Sequence, residues 1–171
     1  MLLLFVISTL VYLFMIFGTI PMVMNFSGGM ELLDMKPMGY DATYVKTLFD
    51  NLGREGRDLY LYRQIPVDMF YPGLFGLTYG LALAFFLKKL DKYNTPFYYL
   101  CLLPFLAGLA DYLENAAIVL LLQSYPALAD NLVSFSNGAT LVKSVATSVV
   151  FTVLIIVLLF VALRRSSARG T

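Results

Sequence analysis

The stretch of sequence that decides the fold is residues 97–122, FYYLCLLPFLAGLADYLENAAIVLLL. Its only charged side chains are those of Asp111 and Glu114. About 20 consecutive apolar residues in a helix cross the roughly 30 Å hydrocarbon core of a bilayer. Because backbone polar groups inside lipid must be hydrogen-bonded within the segment, such a stretch forms a helix rather than an isolated strand. The sequence therefore predicts a transmembrane helix that carries carboxyl groups inside the membrane.

Three further stretches have this length and composition. They are residues 2–24, which carry no charge; residues 67–90, which carry Asp68 ahead of a basic end; and residues 139–163, which carry Lys143. In the whole chain 60% of residues are apolar and 13% are charged, against about 25% charged in a soluble domain. Residues 2–24 lack the basic start and the cleavage site of a signal peptide, so we expect this helix to be retained. We predict an all-α membrane protein in which residues 1–171 form one domain, a bundle of four transmembrane helices.

The composition excludes several kinds of site. The chain has no histidine and a single cysteine. Haem held by histidine, zinc held by histidine or several cysteines, an intramolecular disulfide and catalysis by a histidine base are therefore excluded. A net charge of +1 gives no field that would attract nucleic acid, so no nucleic-acid partner is expected. Oxygen ligands suit Ca²⁺ or Mg²⁺, but no known loop motif for these ions is present, and we predict no metal and no cofactor.

The basic residues predict an orientation. Lysine and arginine concentrate in short cytoplasmic loops of membrane proteins. The turn after the second predicted span and the segment after the fourth are both basic, and they contain Lys88, Lys89, Lys92, Arg164, Arg165 and Arg169. Both segments lie on the same side of a four-span protein. We therefore predict cytoplasmic N- and C-termini, with residues 25–66 and 123–138 facing outward.

The outward-facing segments are predicted to be partly helical. Asp41 suits a helix N-cap, apolar residues follow it at helical spacing, and Gly53 suits the residue just past the helix end. Residues 25–56 are therefore predicted to form an amphipathic cap over the bundle. A second short helix is predicted to begin at Pro126 and to end near Asn137–Gly138.

Polar residues recur on one face of each of three predicted spans. At 100° per residue, Asp111, Glu114 and Asn115 share a face of the third span. On the second span Asp68, Tyr71 and Tyr79 share a face, and a helix extended back to Arg57 would add Tyr60 and Gln64. The polar face of the fourth span consists of Thr140, Lys143, Ser144, Thr147 and Ser148. Polar groups at this depth are costly, so they should face the interior of the bundle. We predict that Lys143 compensates Glu114 or Asp111, and that an arginine compensates Asp68.

These faces predict a pocket in the outer half of the bundle. Carboxylates and tyrosines together can hold an amine by charge and by cation–π contact. The predicted ligand is therefore a small amphipathic or cationic molecule, in contact with these residues: Asp68, Tyr71, Tyr79, Asp111, Glu114, Asn115 and Lys143.

Three alternatives stay open. The polar groups can serve only to hold the helices together. The chain can be an accessory subunit that binds a membrane-protein partner. It can also be an enzyme that acts on a lipid by carboxylate acid–base chemistry, with Asp111 and Glu114 as the best catalytic candidates.

The predicted architecture resembles that of small four-helix membrane proteins of the sterol-isomerase and sigma-2-receptor type. Those proteins also place carboxylates in a pocket within a short bundle. The resemblance is one of architecture alone, because no motif matches residue by residue, and it implies no role for any residue of this chain.

Overall fold

The structure, a computed structural model, describes residues 1–167, and within that range every regular element is helical. Six helices follow one another: α1 (Leu2–Met24), α2 (Ala42–Leu59), α3 (Ile65–Asp68), α4 (Tyr71–Lys89), α5 (Leu103–Ser124) and α6 (Asp130–Ser167). Arg169 and the side chain of Arg165, which belong to the predicted basic end, lie outside the described part. The prediction of an all-helical chain is confirmed for the described residues.

Four helical stretches are long and apolar enough to cross a membrane, as predicted. They are Leu2–Met24, Ala42–Lys89, Pro96–Ser124 and Asp130–Arg164. The second stretch is 48 residues long, because α2, α3 and α4 follow one another almost without interruption. Helix α2 is interrupted by non-helical backbone at Gly53, and its second part runs to Leu59 and joins the turn that leads into α3. The division into a cap over residues 25–56 and a span beginning at residue 67 stays a prediction.

The N-cap at Asp41 and the break at Gly53 both follow the sequence signals of the predicted cap helix. The Asp41 side chain accepts a hydrogen bond from the backbone N–H of Tyr44 at 2.8 Å, which confirms the N-cap. Gly53 has the positive φ of +59° expected of a residue past a helix end. The chain nevertheless resumes helical geometry at once. Gly56 permits this, because a Cβ there would lie 2.8 Å from the Phe26 side chain, which packs against the resumed helix.

Two π-helical turns face each other next to the cap. One lies within α1 at Met15–Thr19 and the other joins α2 to α3 at Tyr60–Gln64. Each is followed directly by a proline in the next helical segment, Pro21 and Pro66 respectively, and a proline that follows helical residues cannot donate the backbone hydrogen bond to the preceding turn. A hydrogen bond from the Thr19 hydroxyl to the Gln64 side-chain oxygen links the two turns. The two π-helical turns therefore contact each other at the end of the bundle that adjoins the cap.

Two predicted boundaries around the last spans are wrong. Pro126 does not start a helix, and Gly138 does not end one, because α6 begins at Asp130 and passes Gly138 without a break. Gly138 is not among the glycines with positive φ, and a glycine ends a helix only when it adopts that conformation. Helix α6, which contains the fourth predicted span, therefore begins nine residues before the predicted start at residue 139. The third predicted span, residues 97–122, is a 3₁₀ segment at Pro96–Leu102 followed by α5, which continues to Ser124.

The helices pack closely where glycines remove side-chain volume. α5 packs against both α4 and α6, and α1 packs against α4. A Cβ at Gly80 would lie 2.7 Å from the Phe105 ring, and a Cβ at Gly108 would lie 2.7 Å from the carbonyl oxygen of Pro72. The predicted packing role of the glycines in these helices is confirmed.

Candidate functional site

Lys143 is the centre of a buried cluster of charges. Its ammonium lies 3.4 Å from Asp111 Oδ1, and it forms an ion pair with Glu114 Oε2. It also donates a hydrogen bond to the backbone oxygen of Asp34 at 3.2 Å. The Glu114 side chain is fully buried, and that of Lys143 is 18% exposed. The predicted pairing of Lys143 with Glu114 or Asp111 is therefore observed, and the ammonium contacts both acids.

A chain of hydroxyl groups connects this cluster to the loop before the cap helix. The Thr140 hydroxyl donates to Glu114 Oε1 at 2.5 Å. The Tyr40 hydroxyl lies 2.7 Å from Ser136 Oγ and 3.2 Å from Thr140 Oγ1. Burial raises the pKa of Tyr40, which keeps this hydroxyl protonated and available to donate. The loop is thereby fixed to α6 beside Glu114.

Asp34 is a member of the site that the sequence does not reveal. Its carboxylate accepts a hydrogen bond from the Tyr60 hydroxyl, and Gln64 Nε2 lies 3.5 Å from its other oxygen. It lies 26 positions from Tyr60 and 109 from Lys143 along the chain. In the sequence it is one of several loop acids, without helical spacing to any of its partners. Only the folding of the loop places Asp34 next to Lys143 and its acidic partners.

A cavity of about 500 Å³ adjoins this cluster on the side of α1. Its polar wall is formed by Asp34, Gln64, Asp68, Asp111 and Lys143. Its aromatic wall is formed by Tyr12, Tyr71, Phe75, Tyr79 and Phe151. The volume lies within the range of roughly 300–1,000 Å³ that is usual for small-molecule sites.

Five of the seven predicted contact residues lie on the cavity wall, and two do not. Asp68, Tyr71, Tyr79, Asp111 and Lys143 line it, whereas Glu114 and Asn115 are fully buried away from it. The reason is the angular spread of the predicted face. Glu114 and Asn115 lie about 60° to one side and about 40° to the other side of Asp111. Glu114 therefore faces Thr140 on α6, and Asn115 lies next to Asp68.

Asp34 and Asp68 are the two acids on the cavity wall whose carboxylates form no ion pair with residues 1–164, and of the two Asp34 accepts hydrogen bonds from the side chains of Tyr60 and Gln64. No lysine or arginine of residues 1–164 lies within ion-pair distance of the Asp68 carboxylate. The predicted arginine partner is wrong. Arg57 donates to the Phe49 carbonyl at 2.7 Å and lies over the Tyr125 ring, and this packing holds it in the cap. The neighbouring Asn115 amide is also fully buried and adjoins the Asp68 carboxyl group.

The site therefore combines four carboxyl groups and one ammonium with aromatic surface. Asp34, Asp68, Asp111 and Glu114 surround the single ammonium of Lys143. The aromatic rings beside Asp68 form a continuous cluster, in which the Phe75 and Tyr79 centroids are 4.7 Å apart. Such a combination favours a cation over a neutral or anionic molecule. Among the described residues, no group of three or more potential ligand side chains could hold a metal ion.

The cavity reaches the apolar surface of the helices. Tyr12 on α1 and Phe151 on α6 both line it, and they are 45% and 38% exposed. The exposed neighbours of Phe151 are the apolar Val149 and Ile155 and also Ser148 and Thr152, whose hydroxyl groups donate to backbone carbonyls of the same helix.

Comparison of the chain with protein-family models, with curated proteins and with solved structures gives no match.

Proposed function

We propose that the chain is an integral membrane protein with four transmembrane helices, cytoplasmic termini and an outward-facing cap. Its four long apolar helices support the membrane assignment. Arg164 supports the shared side of the two basic segments, because its guanidinium lies 2.6 Å from Asp91 in the turn after α4. Both segments thus lie at the end of the bundle remote from the cap, and the positive-inside rule puts that end in the cytoplasm.

Cysteine labelling tests this orientation. In a Cys101→Ser background, a cysteine replacing the exposed Asn51 in the cap should react with an impermeant maleimide in intact cells. A cysteine replacing the exposed Asn94 in the α4–α5 turn should react only after the cells are opened. Labelling of the Asn94 position alone in intact cells would show the reverse orientation.

We further propose that the cavity binds a small amphipathic molecule that carries a protonated amine. The observation that carries this proposal is Asp68, a carboxylate on the cavity wall that forms no ion pair with residues 1–164 and that aromatic rings adjoin. A hydrogen bond to a charged partner is worth about 1.5–3 kcal/mol. An ammonium at Asp68 would form such a bond and would also contact the rings of Tyr71 and Phe75.

The distribution of charge predicts how the ligand is oriented in the cavity. Lys143 compensates Asp111 and Glu114 and would repel a second cation, so the amine belongs at Asp68 rather than beside Lys143. Outside the charged cluster, the wall includes the apolar side chains of Met15, Ile16 and Phe151 together with the hydroxyl groups of Ser8, Thr9 and Thr147. An alkyl or aromatic tail would lie against these apolar side chains and would be able to arrive from the bilayer between Tyr12 and Phe151.

A binding measurement with a defined probe tests the proposal. Labelled decylamine is titrated onto the protein in phosphatidylcholine nanodiscs, and empty nanodiscs give the partition background. We expect saturable binding that decylamine displaces and that decanol, of equal chain length and no charge, displaces poorly. Asp68→Asn should weaken it at least about tenfold, since roughly 1.4 kcal/mol corresponds to tenfold.

Asp58→Asn is the matched control, because Asp58 is an exposed acid on the cap helix. It should leave decylamine binding unchanged. Equal displacement by decylamine and decanol, or equal binding by the Asp68 and Asp58 variants, would contradict the proposal. A complete lack of saturable binding would favour the accessory-subunit alternative.

A further inference from the structure

A second cavity lies at the opposite end of the bundle. It has a volume of about 580 Å³ and lies between the end of α4, the Pro96–Leu102 segment and the last turns of α6. Its wall is formed mainly by Leu87, Phe97, Leu100, Val153, Val157 and Phe160. It shares no residue with the cavity beside Asp68. Phe97 and Phe160 are more than half exposed, so this is a groove open to the surroundings of the helices.

The rim of this groove is basic. Lys92 and Arg164 line it, and Lys88 and Lys89 occupy the last turn of α4 next to it. The one acid in this turn is Asp91, which forms an ion pair with Arg164. Arg164 also donates to the Lys89 carbonyl at 2.8 Å. The rim thus presents cations above an apolar groove, at the level where α4 and α6 approach the end of the bundle.

The turn that carries Lys92 is ordered by its own hydrogen bonds. The backbone N–H of Lys92 donates to the Leu87 carbonyl at 2.9 Å, and the Thr95 hydroxyl donates to the Lys92 carbonyl at 2.6 Å. Asp91 in the same turn has a φ of +59°. The backbone position of Lys92 over the groove is therefore fixed before any ligand binds, which lowers the entropic cost of binding.

We infer that this groove binds an anionic phospholipid of the adjacent leaflet. One acyl chain lies against the apolar wall, and the phosphate lies between Lys92 and Arg164. An acyl chain explains the apolar groove, and a negative headgroup explains the cations on its rim; basic clusters next to transmembrane helices recognise anionic lipids in this way. The inference rests on the membrane-spanning part of the proposed function and is independent of the amine at Asp68.

Native mass spectrometry of the full chain in detergent tests the inference. Phosphatidylglycerol and phosphatidylcholine with identical acyl chains are added in competition. We expect phosphatidylglycerol to be retained preferentially, and Lys92→Gln to lower its retention roughly fivefold, the value of one surface cation near an anionic lipid. Arg54→Gln removes an exposed cation at the cap end and should change nothing.

Asp91→Asn provides the opposite test. Asparagine accepts a positive φ as readily as aspartate, so the turn keeps its conformation while Arg164 is released from its carboxylate. Retention of phosphatidylglycerol should then rise. Equal retention of the two lipids, no effect of Lys92→Gln, or a lower retention in Asp91→Asn would each overturn the inference. Decylamine binding is measured on the same variants. If decylamine still binds while the preference for phosphatidylglycerol is missing, only the inference of a lipid groove is contradicted. If decylamine does not bind to the parent protein, the proposed amine site is contradicted.

Discussion

Replacing Lys143 by methionine is the most informative change to the charge cluster. The substitution keeps most of the side-chain length and removes the ammonium. Glu114, which is fully buried, and Asp111, whose side chain is 12% exposed, then lose their shared counter-charge. The backbone oxygen of Asp34 also loses its donor. Removing one partner of a buried ion pair usually costs about 3–5 kcal/mol, and we expect a loss of that size in the free energy of unfolding.

A second substitution separates stranded charge from lost packing. Glu114→Gln in the Lys143→Met background removes the stranded charge, while the amide oxygen still accepts from Thr140. We expect the double variant to recover roughly 1–3 kcal/mol relative to Lys143→Met alone. Glu114→Gln alone should cost less than Lys143→Met, because Asp111 still accompanies the ammonium.

The measurement is reversible unfolding in mixed micelles titrated with dodecyl sulfate and followed by circular dichroism. Lys46→Met is the control, because Lys46 forms an ion pair with Asp50 at 2.6 Å while both side chains stay largely exposed. Such surface pairs contribute about 0–1 kcal/mol. Two results would show that Lys143 does not stabilise the buried acids. One is a loss of unfolding free energy in Lys143→Met no larger than that in Lys46→Met. The other is a further loss of stability when Glu114→Gln is added to Lys143→Met.

Two further changes probe the cap loop and the helix contacts. Asp34→Ala should cost about 1–3 kcal/mol of unfolding free energy, because it leaves the fully buried hydroxyl of Tyr60 without its acceptor; Asp34→Asn should recover most of that loss, and equal stability of both variants would show that the hydrogen bond is unimportant. Gly108→Ala should destabilise the bundle by about 1–3 kcal/mol, because its Cβ would lie 2.7 Å from the Pro72 carbonyl oxygen. At Gly138 a Cβ would meet nothing within 4 Å, so Gly138→Ala should be neutral or stabilising in the same unfolding assay, and similar effects of the two alanines would contradict the packing described here.

The sequence predicts those features of the fold that depend on local composition. The four long apolar helices follow from the length of the apolar runs, and the N-cap at Asp41 follows from its side chain. The pairing of Lys143 with Asp111 and Glu114 was also predictable, because a buried charge requires a partner and few candidates exist. These predictions need no knowledge of how the helices are arranged.

Features that depend on tertiary contacts could not be predicted in this way. Gly53 adopts a positive φ and Gly138 does not, although both follow apolar helical stretches, so the local sequence alone does not decide which glycine interrupts a helix. Asp34 joins the cavity only through the folded loop. Arg57 was a reasonable partner for Asp68 by helical spacing, but its contacts with Phe49 and Tyr125 hold it in the cap. The lack of an ion pair at Asp68 is therefore known only from the folded structure.

The most direct test of the cavity as an amine site is to locate a bound amine. Decylamine with a diazirine at the end of its chain is photolysed with the protein in phosphatidylcholine nanodiscs, and the labelled peptides are identified by mass spectrometry. We predict labels near Tyr12 and Phe151, which line the apolar end of the cavity. Decylamine should suppress them, and Asp68→Asn should abolish them. Labels spread along lipid-facing residues, unchanged in Asp68→Asn, would show that the amine partitions into the bilayer and does not occupy the cavity.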